Sequence, residues 1–232
     1  MTHSITHHHQ TTVCIVGGGP AGVMLGYLFA RRGVEVIVLE AQHDFDRQFR
    51  GDTIHAGIMK NLDQLGLADA LLELPHHKMP RLLAGNRDNP AQQVPLVDFS
   101  RLRTKFPYVT MMAQPVFLNF IVEEAKKYPT FKILMGASGQ KLVKENGKIC
   151  GIQYRGGGEW GEIRADLVVA TDGRSSKVRR LAGLEPKPIS EPMDVLWFRL
   201  PRLVHEGINP PAVSAYLQIK IETRIPFPNC SH

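Results

Sequence analysis

The sequence predicts an α/β domain that opens with strand, helix and strand and later inserts an antiparallel strand meander. Three stretches predict it. TTVCIVGGGPAGVMLGYLFARRGVEVIVLEA, Thr11–Ala41, sets a glycine-rich turn and a helical run between two short apolar strands. IHAGIMKNLDQLGLADALLEL, Ile54–Leu74, repeats apolar residues at helical spacing. FKILM, QKLVKENGKICGIQYR and EIRADLVVATDGRSS then follow one another as strand signals.

Element by element, Val13–Val16 reads as a strand, Pro20–Arg32 as a helix, and Val34–Leu39 as a second strand. Gly33 suits the helix C-terminal cap. The helix is apolar nearly all round (Val23, Met24, Leu25, Tyr27, Leu28, Phe29), which predicts burial, and Gly22 and Gly26 allow close backbone approach. Gly66 divides Ile54–Leu74 into two helices joined by a tight turn. Pro75, Pro80, Pro90, Pro95 and Pro107 punctuate a stretch of irregular chain or short strands. From Gln114, Pro115 fits a first turn, Phe117, Leu118, Ile121 and Ala125 make one face, and Lys126-Lys127 suit a helix end near Tyr128. Asn146-Gly147 is a hairpin turn, and a final buried strand delivers the chain to Asp172-Gly173.

Thr11–Ala30 carries no charged residue and is followed by Arg31-Arg32, so its length alone would suit a membrane span. Gly17, Gly18, Gly19, Gly22 and Pro20 oppose that, because they break a helix that must satisfy its own backbone in lipid. A secretory signal fits no better, since histidines stand where Lys or Arg would precede the apolar run.

Hydrophobic residues make up 43% of 232, enough for a sizeable core, and charged residues 22%. The formal charge of +6 is spread along the chain between acids. Its densest group, GRSSKVRR at Gly173–Arg180, lacks the interleaved aromatics of a nucleic-acid surface. Cys14, Cys150 and Cys230 are scattered and odd in number, indicating neither a disulfide framework nor zinc. The arm at residues 1–12, with His3, His7, His8 and His9, is expected to be disordered and without a native metal. The RGD tripeptide, Arg50–Asp52, is treated as a coincidental match to an adhesion motif.

Gly17, Gly19 and Gly22 form G-x-G-x-x-G between strand and helix. The pattern serves a tight turn, backbone approach to a pyrophosphate and close helix packing, while the helix N-terminus offers N–H groups and positive dipole. Glu40 ends the second strand where a carboxylate can accept hydrogen bonds from an adenosine ribose. These features together point to a Rossmann-like dinucleotide site.

GGGPAG followed by Glu40, and DLVVATDGRSSKVRR at Asp166–Arg180, resemble the fingerprint and Asp-Gly segments of the flavoprotein monooxygenases typified by p-hydroxybenzoate hydroxylase. HAGIMKNLDQLGL and AQPVFLNFIVEEAKKYP are similar to helices of that family's FAD-binding domain, and the likeness spans about 13–200. By the resemblance, Gly17, Gly19, Pro20, Ala21 and Gly22 approach the FAD pyrophosphate and Glu40 holds the ribose. Gln114 meets the flavin side, Arg50 lies near the cofactor, and Asp172 and Gly173 sit near the pyrophosphate. Arg174 and Arg179 are weaker candidates for anion contacts, with surface charge as the plainer role for each.

The resemblance further implies reduction of FAD by NADH or NADPH, activation of dioxygen, and hydroxylation of an aromatic or quinone-precursor substrate in the cytoplasm, with peripheral membrane association as an alternative. It assigns no catalytic acid–base pair. Relatives carry a third motif, Gly-Asp before a helix, which this sequence lacks, so the substrate domain is expected to be incomplete and FAD binding weakened. Residues 201–232 read as an atypical tail, with Val213–Thr223 able to form one strand. Alternatives are a nucleotide-binding remnant without catalysis, a related flavin reductase, or a halogenase; the Trp-x-Trp pair expected of the last is absent, since Trp160 and Trp197 stand alone.

Overall fold

Val13–Val16 is apolar at every position, which suits a strand covered on both faces. It forms the end of β1 (Ile5–Val16), followed by α1 (Pro20–Arg31), β2 (Val36–Leu39), β3 (Thr53–Ile54), α2 (Ala56–Gln64) and α3 (Ala68–Leu72). Short strands β4 (His77–Met79), β5 (Arg81–Gly85), β6 (Gln93–Asp98) and β7 (Val109–Met111) lead to α4 (Gln114–Lys126) and β8 (Phe131–Leu134). The meander is β9 (Ala137–Glu145), β10 (Lys148–Gly156) and β11 (Glu159–Ala170), after which α5 (Lys177–Leu181) follows. This computed structural model describes residues 4–46, 51–85, 93–187, 194–200 and 215–221.

The chain divides into two units, Met1–Glu185 and Pro186–His232, so the boundary lies before residue 200. In the second unit β12 (Asp194–Leu200) pairs antiparallel with β13 (Ala215–Ile221), which occupies the predicted strand at Val213–Thr223.

In the first unit the main sheet has the order β8-β2-β1-β11-β10-β9. β8, β2, β1 and β11 are mutually parallel, whereas β10 and β9 join antiparallel through the hairpin. Asn146 at φ 50° and Gly147 at φ 78° make the hairpin turn, as primed turns require. One face of the sheet contributes Val13, Ile15, Val36 and Val38 to a core shared with Val23 and Tyr27 of α1 and Leu118, Ile121 and Val122 of α4. The opposite face buries Cys14, Val16, Ile37 and Leu39 with Ile152, Tyr154 and Ile163. β3, β7 and β4 form a separate small sheet, and β5 pairs with β6.

α1 links β1 to the parallel β2, and α4 leads directly into the parallel β8. Both helices therefore run against their strands and begin at the strands' C-terminal edge, where open α/β sheets hold their ligands. The two helices pack on each other, with Tyr27 and Tyr128 edge to face at 6.0 Å. At Gly26 a Cβ would come within 2.9 Å of both Phe131 Cε2 and Val38 Cγ2, so the glycine lets α1 sit close on the sheet.

Two expectations are corrected. Residues 5–12, expected to be a disordered arm, extend β1, because β11 supplies a backbone edge running from Trp160 and paired from Ile5 onward. There His7 Nε2 lies 2.8 Å from Glu159 Oε2 and the His9 ring stacks on Tyr154. α1 is buried against the sheet as expected, through Val23, Tyr27 and Ala30, and leaves Leu28 39% exposed. The final strand β11 is only partly buried. β10 pairs with it over Glu159–Arg164 alone, so Ala165–Ala170 have β1 on one side and no described strand on the other, leaving Leu167 49% exposed.

The close α1 packing predicts that Gly26→Ala lowers stability by about 1–3 kcal/mol through overpacking. Urea unfolding of the variant should show an earlier midpoint with an unchanged slope.

Candidate functional site at the strand C-termini

The turn after β1 is built from glycines under three different constraints. Gly17 adopts φ 108°, and a Cβ there would stand 2.5 Å from the Thr171 carbonyl oxygen. At Gly22 a Cβ would stand 1.9 Å from the Gly17 carbonyl oxygen, so the first turn of α1 packs directly on the loop. At Gly19 a Cβ would meet nothing within 4 Å. Two of the motif glycines are thus fixed by the protein's own backbone, while the third faces open space.

Gly19 is the N-cap of α1, and it provides no side-chain cap; the first turn holds no acidic residue, and Pro20 stands in it. Pro20 and Ala21 are exposed. The helix start therefore presents N–H groups and the positive dipole end without a neutralising carboxylate of its own.

Glu40, 4% exposed, follows β2 and turns back to the loop. Its Oε2 accepts from the Gly18 N–H at 2.9 Å and its Oε1 from the Gln42 N–H at 2.8 Å. Space is tight here too, since a Cβ on Gly18 would lie 2.9 Å from Glu40 Cβ. Glu40 braces the glycine turn, a task the sequence did not indicate.

β11 brings the second motif to the first. Thr171 N–H donates to the Val16 carbonyl at 2.8 Å, and Thr171 Oγ1 donates to the carbonyls of Val16 at 3.1 Å and Gly17 at 2.8 Å. Sequence reasoning missed Thr171. Its signal is a hydroxyl residue at the strand end immediately before Asp-Gly, where it can reach the facing turn.

Asp172 lies beside Gly17, whose added Cβ would stand 2.8 Å from Asp172 Cα. Its carboxylate faces α5: Oδ1 accepts from Ser176 Oγ, and Oδ2 accepts the N–H groups of Lys177 at 2.7 Å and Val178 at 3.1 Å. Gly173 at φ 83° turns the chain toward that helix. Arg174 is exposed, and Arg179 donates to the Arg174 carbonyl at 2.9 Å. A groove of about 390 Å³ runs past Asp172, Ser176 and Arg179 along Val168, Leu142 and Ile149.

Gln114 opens α4 on the same sheet edge, half-buried, with its backbone N–H directed at Asp52 Oδ1 at 3.3 Å. Arg50 lies outside the described residues. The only described cysteine deep in this region, Cys14, is fully buried, and burial pushes its thiol up to about 12, so it is no thiolate at neutral pH. Among the described residues no group of three metal-ligating side chains converges, and no helix is long and apolar enough to cross a membrane.

The sequence model of a family described as "FAD binding domain" matches residues 10–212. The chain belongs to this FAD-binding domain family. It is 32% identical over 229 residues to a 6-methylpretetramide 4-monooxygenase of Streptomyces rimosus, covering 95% of this chain and 52% of that protein. Among solved structures it is similar to p-nitrophenol 4-monooxygenase of Pseudomonas putida, with a TM-score of 0.69 and 25% identity over 83% of this chain and 46% of that one. An anhydrotetracycline hydroxylase of Streptomyces rimosus matches with a TM-score of 0.67 and 25% identity over 85% of this chain and 39% of that one. The chain spans between 39% and 52% of the length of these three proteins. As an FAD-binding domain it has the α/β architecture with inserted meander that the sequence predicts.

The glycines' unequal surroundings predict unequal variants. Gly22→Ala should lower the melting temperature of the ligand-free protein, because the methyl group collides with the Gly17 carbonyl. Gly19→Val should leave that temperature nearly unchanged yet abolish dinucleotide binding. Calorimetry in the absence and presence of FAD separates the two.

Proposed function

We propose that this chain supplies the adenosine and pyrophosphate half of an FAD site in a monooxygenase that hydroxylates an aromatic or quinone-precursor substrate with NADH or NADPH and dioxygen. The observation that carries the proposal is the open space over Gly19 at an uncapped helix start, bounded by a loop that Glu40 and Thr171 hold rigid. The donor set fits an anion: N–H groups and a helix dipole, with the adjacent Glu40 carboxylate already turned to backbone donors.

In this reading the backbone of Gly19, Pro20, Ala21 and Gly22 receives the pyrophosphate, and Gly17 shapes the turn that aims it. Glu40, at the end of β2, would hold the adenosine ribose, and its contact with Gly18 would couple that ribose to the loop. Gln114, at the start of α4 on the same edge, meets the flavin half, and the family resemblance adds Arg50 near the cofactor. Asp172 and Gly173 flank the pyrophosphate indirectly, Asp172 by fixing α5 and the turn after β11. Bound FAD supplies electron transfer from the nicotinamide and oxygen activation, which no side chain can perform. The protein's share is orientation, donor placement and exclusion of water.

The relatives' names support oxygen insertion into aromatic compounds: a 6-methylpretetramide 4-monooxygenase and a para-nitrophenol 4-monooxygenase of a Pseudomonas strain, the latter 25% identical over 174 residues. Titration with FAD should give saturable binding, with flavin fluorescence and absorbance changing together, and added NADPH or NADH should be oxidised faster when a phenolic substrate is present. Failure to bind FAD at high micromolar concentration would contradict the flavin site. FAD binding without substrate-stimulated oxidation would leave the site intact and remove the hydroxylase activity from this chain.

A further inference from the structure

Gly51 and Asp52, the described part of the RGD tripeptide, make contacts that local sequence pattern does not announce. Asp52 is a buried carboxylate, 5% exposed, immediately before β3 of the small sheet. Its backbone carbonyl accepts the Met112 N–H at 2.9 Å, and its Oδ1 faces the Gln114 N–H at 3.3 Å. β3 and β7 continue the same contact by pairing Thr53 with Met111. Gly51, at φ 70°, is pressed against Gln114, since a Cβ there would lie 3.3 Å from Gln114 Nε2.

α4 needs this. Its N-cap residue is Ala113, which has no side-chain acceptor, so none of the orphan N–H groups of its first turn is capped locally. Asp52 provides the acceptor from 62 positions away in the chain. A carboxylate at a helix start is also favoured by the helix dipole. α4 begins at the C-terminal edge of the parallel strands, the edge that carries Gly19, so the clip sets where Gln114 stands relative to the dinucleotide loop.

We propose that Asp52 is a positioning residue for the flavin half of the site: it fixes the first turn of α4 and thereby the Gln114 side chain, while the adenosine half is held independently by the glycine turn and Glu40. This rests on the proposed FAD site. Gly18, Glu40 and Thr171 hold the β1 turn, and Asp52 holds Met112 and Gln114 at the start of α4, with Gly51 packed on Gln114.

ADP and FAD, titrated in parallel into wild type, Asp52→Ala, Asp52→Asn, Gln114→Ala and the Asp52→Ala/Gln114→Ala double variant, test it. Asp52→Ala should weaken FAD binding by about tenfold, the scale of one lost hydrogen bond, and leave ADP binding within about twofold. Asp52→Asn, which keeps the Oδ1 acceptor, should restore FAD binding. The double variant should bind FAD no more weakly than Gln114→Ala alone, because both changes act through one side chain. Equal losses for ADP and FAD in Asp52→Ala would overturn the proposal by making the clip a general fold contact. So would full additivity in the double variant. Wild-type protein that binds ADP and not FAD would overturn the flavin site itself, and the assignment of Asp52 with it.

Discussion

The parallel pairing of β1 with β11 is the constraint on which the site depends. It aligns Val16 with Ala170, so the residues that follow each strand meet at one place. Thr171 then ties the β11 end to the carbonyls of Val16 and Gly17, 154 positions earlier in the chain at the second of these. Gly17 takes φ 108°, a conformation open to glycine but not to residues with a Cβ. The Thr171 hydroxyl and amide hold it from one side and the Glu40 carboxylate from the other. The meander contributes by placing β11 beside β1, and the tight α1 packing at Gly26 sets the helix that continues the turn.

Charge is distributed at this edge in a consistent way. Glu40, Asp52 and Asp172 each direct carboxylate oxygens at backbone N–H groups: those of Gly18 and Gln42, of Gln114, and of Lys177 and Val178. Two of those carboxylates serve the starts of α4 and α5. The first turn of α1 holds no acidic residue and its N-cap, Gly19, offers no side-chain cap and faces open space. An anionic ligand therefore meets uncompensated N–H donors at α1, while the neighbouring helix starts are satisfied internally.

Local pattern made much of this legible. The βαβ opening, the break at Gly66 (φ 76°), the helix from Gln114 and the turn at Asn146-Gly147 each rest on signals within a few residues, and the structure has all four. The different burdens on Gly17, Gly19 and Gly22 also follow from the motif's spacing. What escaped was non-local. Residues 6–12 carry polar side chains that suit an arm, and only the length of β11 converts them to strand. Leu167 reads as core because its neighbours are apolar, yet β10 departs from β11 after Arg164 and leaves it half-exposed. Asp52 and Thr171 act on residues far away in the chain, so neither announces its partner in the sequence.

The central claim is that Thr171 joins the two motifs into one rigid dinucleotide cradle, and Thr171→Val tests it most directly. Valine keeps the branched shape and removes the hydroxyl that bonds Val16 and Gly17. Hydrogen exchange of the amides in 17–22, measured together with ADP affinity, should show faster exchange confined to the glycine turn and binding weakened by about tenfold, with Thr171→Ser close to wild type. Unchanged exchange and unchanged affinity in Thr171→Val would contradict the account and leave the turn to be held by Glu40 and its own glycines.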